Sequence, residues 1–317
     1  MQTRKLGHTN IQVAPLMLGG NVFGWTIDAA TSFSILDAFT QAGFNFIDTA
    51  DVYSRWKPGN RGGESEYIIG QWLARSGKRD KVILATKVGS DMGGSKKGLS
   101  RNYILQAVED SLLRLQTDYI DLYQSHVDDP STPIEETLSA YQHLIKDGKV
   151  RYIGASNYKA PRLRESIDIA KRDKLPLYQT LQPEYNLYDR SNFETNLQPV
   201  AKELDLDVIP YFSLASGFLT GKYLSKEDTK GANRESGVAR YFTDRGMRIL
   251  KALQGICVET GAQPATISLA WLLAQPTILA PIASATSTHQ LEALLAAPGL
   301  KLNKAALEKL NRASAWN

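Results

Sequence analysis

Short apolar runs alternate with longer segments of helical periodicity along almost the whole chain. The runs are LMLGG (16–20), FNFIDT (44–49), VILATK (82–87), YIDLYQSH (119–126), VRYIGAS (150–156), LYQTLQPE (177–184), LDVIPYF (206–212) and TILAPIA (277–283), eight in all. Runs of this kind predict strands. Between them TSFSILDAFTQAG, ESEYIIGQWLARSG, SRNYILQAVEDSLLRLQ, TPIEETLSAYQHLIKDG and NFETNLQPVAKELD predict helices. Several carry start and stop signals: Ser100 or Asn102 at one start, Thr132-Pro133 with Glu135 and Glu136 in the first turn of another, and Gly43, Gly77 and Gly148 after the ends.

Strands separated by single helices imply parallel pairing with right-handed crossovers. Eight units spaced by roughly 30 to 35 residues predict an α/β fold of the closed (β/α)8 TIM-barrel kind. A doubly wound sheet is the alternative. It is weakened because no early strand is followed by G-x-G-x-x-G, and GGNVFG (19–24) has the wrong spacing. The helical segments 241–261 and KAALEKLNRASAW exceed the alternation and predict two additional helices outside the barrel ring, the first after the polar loop KYLSKEDTKGANRESGVAR. No linker-like stretch divides the chain, so residues 1–317 are expected to form a single domain.

Composition narrows the function classes. With 43% hydrophobic and 22% charged residues the chain can bury a sizeable core. The net charge of +4 is spread among 33 acids rather than gathered in a stripe, which favours an anionic small molecule over nucleic acid. A lone Cys257 precludes an internal disulfide and a multi-cysteine zinc site, and four dispersed histidines do not suggest a metal cluster. The N-terminus has no apolar signal region and no window approaches a membrane span, so a cytoplasmic protein is expected. Oligomeric state is not legible.

A barrel of this type places its active site at the C-terminal strand ends. Those ends read Asn21, Asp48, Lys87, His126, Ser156 with Asn157, Gln182 with Glu184, and Tyr211. Asp48 ends a core strand, where an unpaired carboxylate is costly, but Lys87 closes the next strand and can offset that burial. A tyrosine titrates near pH 10, and a lysine cation beside Tyr53 would make it more acidic, while an imidazole can orient a substrate oxygen. Such a constellation suits protonation of a developing alkoxide.

The motifs IDTADVY (47–53), ATK (85–87), SLLRLQTDYIDLYQSH (111–126), GKVRYIGASNY (148–158), QPEYNLYDR (182–190) and SGFLTGKY (216–223) resemble the aldo-keto reductase superfamily over nearly the whole chain. The resemblance implies reversible reduction of an aldehyde or ketone with NADPH, NADH being possible, through a tetrad of Asp48, Tyr53, Lys87 and His126. Tyr53 would be the general acid or base, Lys87 paired with Asp48 would lower its pKa, and His126 would hydrogen-bond the carbonyl oxygen. Ser156, Asn157 and Gln182 would hold the nicotinamide carboxamide and Tyr211 would stack on its ring. Leu214, Gly217, Leu219, Gly221 and Lys222 would border the pyrophosphate, with Ser284, Thr286 and Gln290 at the remaining end of the cofactor.

Two departures stand out. Ser284 and Gln290 occupy positions where many relatives carry Lys and Arg that clamp a 2′-phosphate, unless a cation of the 222–245 loop takes over. YFSL (211–214) replaces the commoner Tyr-Ser-Pro-Leu, bringing Phe212 and Ser213 to the cofactor groove.

Other readings compete. Lys87 could serve as a Schiff-base lysine of a barrel lyase. His126 with Asp128 and Asp129 could hold a metal, although no second histidine follows, and no metal is expected. A partner protein that senses the nicotinamide cofactor with little turnover is a third. Trp72 fits a helix core, whereas Asn21, Trp25 and Trp56 are expected to line a substrate pocket.

Overall fold

A computed structural model of the chain describes residues 2–231 and 235–316. Two short strands, β1 (Arg4–Lys5) and β2 (Gln12–Val13), pair antiparallel ahead of the main sheet. The eight expected strands follow: β3 (Met17–Gly19), β4 (Phe46–Asp48), β5 (Ile83–Val88), β6 (Ile120–Ser125), β7 (Val150–Ser156), β8 (Tyr178–Gln182), β9 (Asp207–Val208) and β10 (Ile282–Ala283). They form one parallel sheet in the order β10-β3-β4-β5-β6-β7-β8-β9. A parallel bridge between Val208 and Ile278 joins its two ends, reinforced by Leu279 N–H to Val208 O at 2.8 Å, so the sheet closes into a barrel.

The barrel wall sorts residues by the period of two along each strand. Leu18, Ile47, Leu84, Tyr123, Ile153 and Leu181 face outward into the core shared with the helices. Met17, Phe46, Ala85, Leu122 and Ile209 face inward and fill the lower barrel together with Leu6, Ile11 and Val13 of the N-terminal hairpin. The hairpin, which the sequence pattern did not reveal, is tied on by Arg4 Nη1 to the Ile278 and Leu279 carbonyls at 2.8 and 3.0 Å. It plugs the end opposite the C-terminal strand ends.

Helices α1 (Ala29–Gln41), α2 (Glu64–Ser76), α3 (Arg101–Leu115), α4 (Ile134–Lys146), α5 (Ala160–Asp173), α6 (Gln198–Glu203), α7 (Glu235–Ala239), α8 (Asp244–Thr260), α9 (Pro264–Leu273), α10 (Thr288–Leu295) and α11 (Lys304–Ala313) surround the strands. The two expected additional helices are α8 and α11, joined by the Lys309–Glu259 ion pair at 3.1 Å, and the five-residue α7 of the polar loop is a third outside the alternation. Trp72 is buried on α2 and its Nε1 donates to Asp37 at 3.0 Å.

Two expected caps work differently. Ser100 precedes α3 without a side-chain cap, and the Arg101 N–H donates to Glu136 Oε1 of α4 at 2.8 Å instead. Before α4, Thr132 donates its hydroxyl to Asp129 at 2.6 Å, and Asp129 also accepts from the Leu99 N–H. Desolvation works against that carboxylate, but donors from Ser131, Thr132 and the loop backbone bring its pKa to about 2. Asp129 thus braces two loops beside the site. Gly43, Gly77 and Gly148 follow their helices in the left-handed region, as expected.

Candidate active site

Continuing up the inner face by the same period leads from apolar to polar residues. Phe46 is followed by Asp48, Ala85 by Lys87 and Leu122 by Gln124, and Gln182 enters the same layer from β8. Gly154 pairs with Gln124 in the ladder, and a Cβ there would collide with Thr180 and Gln124, so the layer depends on a missing side chain.

Lys87 is the hub. Its Nζ lies 2.7 Å from the Asp48 carboxylate, 2.8 Å from the Thr49 carbonyl and 2.8 Å from Tyr53 Oη. Tyr53 in turn donates to Asp48 Oδ2 at 3.0 Å. Asp48 Oδ1 accepts from Gln182 Nε2 at 3.2 Å, and that amide also reaches Gln124 Oε1 at 3.3 Å. His126 is set at the end of β6 by its N–H to Val88 O at 2.8 Å, with its ring centroid 6.0 Å from that of Tyr53.

Electrostatics fix the protonation states. Burial, and then the Asp48 carboxylate, holds the Tyr53 phenol well above the usual tyrosine range. The acidification expected from Lys87 is therefore outweighed in this arrangement, and Tyr53 is a protonated acid. Burial lowers Lys87 while Asp48 opposes that shift. Burial, and then the Lys87 cation, pushes His126 well below the usual histidine range, so its imidazole is neutral. Its Nδ1 is buried without a hydrogen-bond partner. An orphan lone pair costs less than an orphan N–H, which favours the tautomer with its proton on Nε2.

These groups open on a cavity of about 910 Å³. Asn21, Asp48, Tyr53, Trp56, His126, Ser156, Asn157, Gln182 and Tyr211 line it, as do Leu214, Gly217, Lys222, Ser284, Thr286 and Gln290. Lys87 has no exposed surface and lies beneath the floor.

Three expected lining residues lie elsewhere. Leu219 is fully buried in the outer core, because the turn at 215–220 directs it inward. Gly221 ends that turn against Pro264. Trp25 stands behind Trp56, with ring centroids 5.5 Å apart and planes at 88°. Val22, Thr26, Ser90 and His289 line the cavity as well, the first three from loops that follow strand ends and none of them marked by a motif. Gln124 also went unread, although its place two residues before His126 puts it in phase with the inward column.

The polar lining of the rest of the cavity is compatible with a nicotinamide dinucleotide, and its hydroxyls and amides are bonded to one another. Ser156 donates its hydroxyl to the Gln182 carbonyl at 2.9 Å, Asn157 Nδ2 donates to the His126 carbonyl at 2.9 Å, and Tyr211 donates to Asn157 Oδ1 at 2.8 Å, which holds its ring at the groove. Phe212 packs beside that ring at 5.2 Å with a positive φ, while Ser213 is buried and bonded to the Pro210 carbonyl. Ser284 donates to Asn21 Oδ1 at 2.6 Å. Gln290 Oε1 accepts from both the Thr286 N–H and hydroxyl at 3.0 Å, and Ser287 Oγ accepts the Gln290 N–H at 3.2 Å. The stretch STHQ (287–290) has the sequence signature of a capping box at the start of α10, with Ser287 as the cap and the Gln290 side chain held by Thr286, the residue before the cap, rather than by the Ser287 N–H.

Among the described residues, Lys222 and His289 are, beside His126, the basic side chains lining the cavity. Arg240 of the 222–245 loop is engaged by Glu184 at 2.6 Å, and Arg234 of that loop lies outside the described residues. Asp128 is paired with Arg162 at 3.1 Å rather than joined to His126.

Comparison with known proteins agrees with this geometry. The profile of the Aldo/keto reductase family matches residues 15–315. The uncharacterized oxidoreductase YrpG of Bacillus subtilis is 36% identical, over 98% of this chain and 95% of its own. A probable voltage-gated potassium channel subunit beta of Oryza sativa is 33% identical, over 92% and 89%. L-glyceraldehyde 3-phosphate reductase of Escherichia coli is 31% identical, over 92% and 86%. The closed barrel, the polar layer at its C-terminal end and these matches together place the chain in the aldo/keto reductase family, an oxidoreductase family.

Proposed function

We propose that the protein reduces an aldehyde or ketone to the alcohol, reversibly, with NADPH as the preferred cofactor and Tyr53 as the general acid. The supporting observation is the single ammonium of Lys87 that touches both Asp48 and Tyr53 Oη under the cavity floor. The nicotinamide, when bound, supplies the hydride. Tyr53 gives its proton to the substrate oxygen, and the phenolate left behind is stabilised by Lys87. Asp48 fixes Lys87 in place, and neutral His126 donates from Nε2 to the same substrate oxygen. Holding these groups in one geometry can supply about 7 to 11 kcal/mol of barrier lowering.

Lys87 is fully buried and covered by Tyr53, which disfavours a Schiff-base lyase. Ser156, Asn157, Gln182 and Tyr211 are the residues proposed to hold the nicotinamide, with Lys222 near the phosphates and Ser284, Thr286 and Gln290 at the far end. With Gln290 spent on its cap and no arginine lining the cavity among the described residues, discrimination between NADPH and NADH should be modest.

The test is titration of the protein with NADPH and NADH by tryptophan fluorescence, followed by addition of a panel of carbonyl compounds. Tyr53→Phe is expected to lose turnover by at least about 100-fold while binding the cofactor as before. Retention of most of kcat would disprove the assigned acid. A second reading, a cofactor-sensing partner protein, is favoured by the likeness to a channel subunit. Tight cofactor binding without turnover on any carbonyl would support it.

A further inference from the structure

One buried acid next to the site is not used by this mechanism. Asp51 is 2% exposed, does not line the cavity, and neither of its carboxyl oxygens has a well-formed hydrogen bond, the Val52 N–H being a backbone donor that acts on them weakly. Its backbone N–H donates to the Lys87 carbonyl at 3.3 Å, which anchors it to the strand that carries the hub lysine. The titratable groups facing it are Lys87 of β5, Glu66 of α2, Arg114 and Tyr103 of α3, Tyr141 of α4, and Tyr123 of β6, whose hydroxyl is also buried without a partner.

Charge counting isolates Asp51 among these groups. Asp48 is neutralised by Lys87 at 2.7 Å, and Glu66 by Arg114 at 2.7 Å, with Thr86 donating to Glu66 as well. Both cations are taken. Ionised, Asp51 would be a third anion in a region of two cations and poor solvation, an arrangement that costs several kcal/mol. Desolvation first, and then the Glu66 charge, pushes its carboxyl well above the usual range.

We propose that Asp51 is a positioning residue of the Lys87 hub, held as an uncharged carboxylic acid at neutral pH so that Asp48 is the sole counter-ion of Lys87. When Asp51 loses its proton in alkaline solution, its new charge offsets the field of Lys87 at Tyr53 Oη. The Tyr53 phenolate formed in carbonyl reduction is then less stabilised, and turnover falls. This inference rests on the reductase reading for its kinetic consequence, though not for the protonation state itself.

The experiment has two arms. The first is infrared spectroscopy at pH 7 on an Asp207→Asn background, which removes another aspartate whose carboxyl burial pushes upward. Carbon-13 labelling of aspartate should reveal the carbonyl band of a protonated acid, and its absence would overturn the proposal even if Asp51→Asn did not fold. The second arm is the pH profile of kcat for carbonyl reduction. Asp51→Asn should move the alkaline limb upward by on the order of one pH unit with KM unchanged, and Asp51→Glu should restore a limb. Superimposable profiles in an active wild type and Asp51→Asn would overturn it. A wild type without turnover on any carbonyl would instead sink the reductase reading, leaving the infrared arm to decide the protonation state.

Discussion

Tyr53 Oη touches a cation and an anion at once, and the balance between them sets its chemistry. Burial and Asp48 keep the phenol protonated, while Lys87 at 2.8 Å is placed to meet the charge that would develop if the proton left, as the proposed reduction requires. In the proposed reduction the interaction with Lys87 would be worth more in the transition state than before it, which is the condition for accelerating a reaction. His126 makes the complementary contribution as a neutral donor. Because burial and Lys87 push its pKa well below the usual range, reduction should show no inflection as pH passes through the ordinary histidine range near 6.5. A pH profile of kcat/KM with such an inflection, abolished in His126→Gln, would contradict the neutral assignment.

At the scale of elements, the site depends on how closely the helices clamp the strands that carry it. Helices α2 and α3 meet at Gly70, where a Cβ would run into the backbone of Arg114 and Leu115. The same contact aligns Glu66 with Arg114 behind the hub. Gly70→Ala should therefore destabilise the protein by about 1 to 3 kcal/mol through overpacking, despite the better helix propensity of alanine. Urea denaturation checks this, and an unchanged or raised midpoint would refute the close crossing. The α10 cap is a second case of position governing role. Gln290 lines the cavity, yet its side chain is bonded to Thr286 at its own helix terminus.

At the scale of the whole molecule, one barrel separates stability from chemistry along its axis. The lower interior is apolar and closed by the hairpin, and the upper interior is polar and open to the cavity. Removing residues 2–13 would uncover Met17, Phe46, Leu122 and Ile209 and discard the burial of Leu6, Ile11 and Val13. At about 1.5 to 3 kcal/mol for each lost side chain, the truncated chain should unfold at clearly lower denaturant and bind a hydrophobic dye. Equal stability of the two chains would show that the hairpin is not the plug. No helix among the described residues is long and apolar enough to cross a membrane.

The sequence by itself determined the eight strands, the helices between them, the two helices outside the ring, and which strand ends carry polar groups. Those properties follow from local periodicity and from the rule that parallel strands deliver their C-terminal ends to one face. The tertiary structure decided what depends on distance between segments far apart in the chain. It brought Lys87 to Asp48, placed Leu219 in the core and Trp25 behind Trp56, turned Gln290 to its cap, and left Asp51 without a counter-ion. A residue's type states what it can donate, accept or bury. Its pKa and its partners depend on which other groups remain uncompensated around it, and that is a property of the packed barrel.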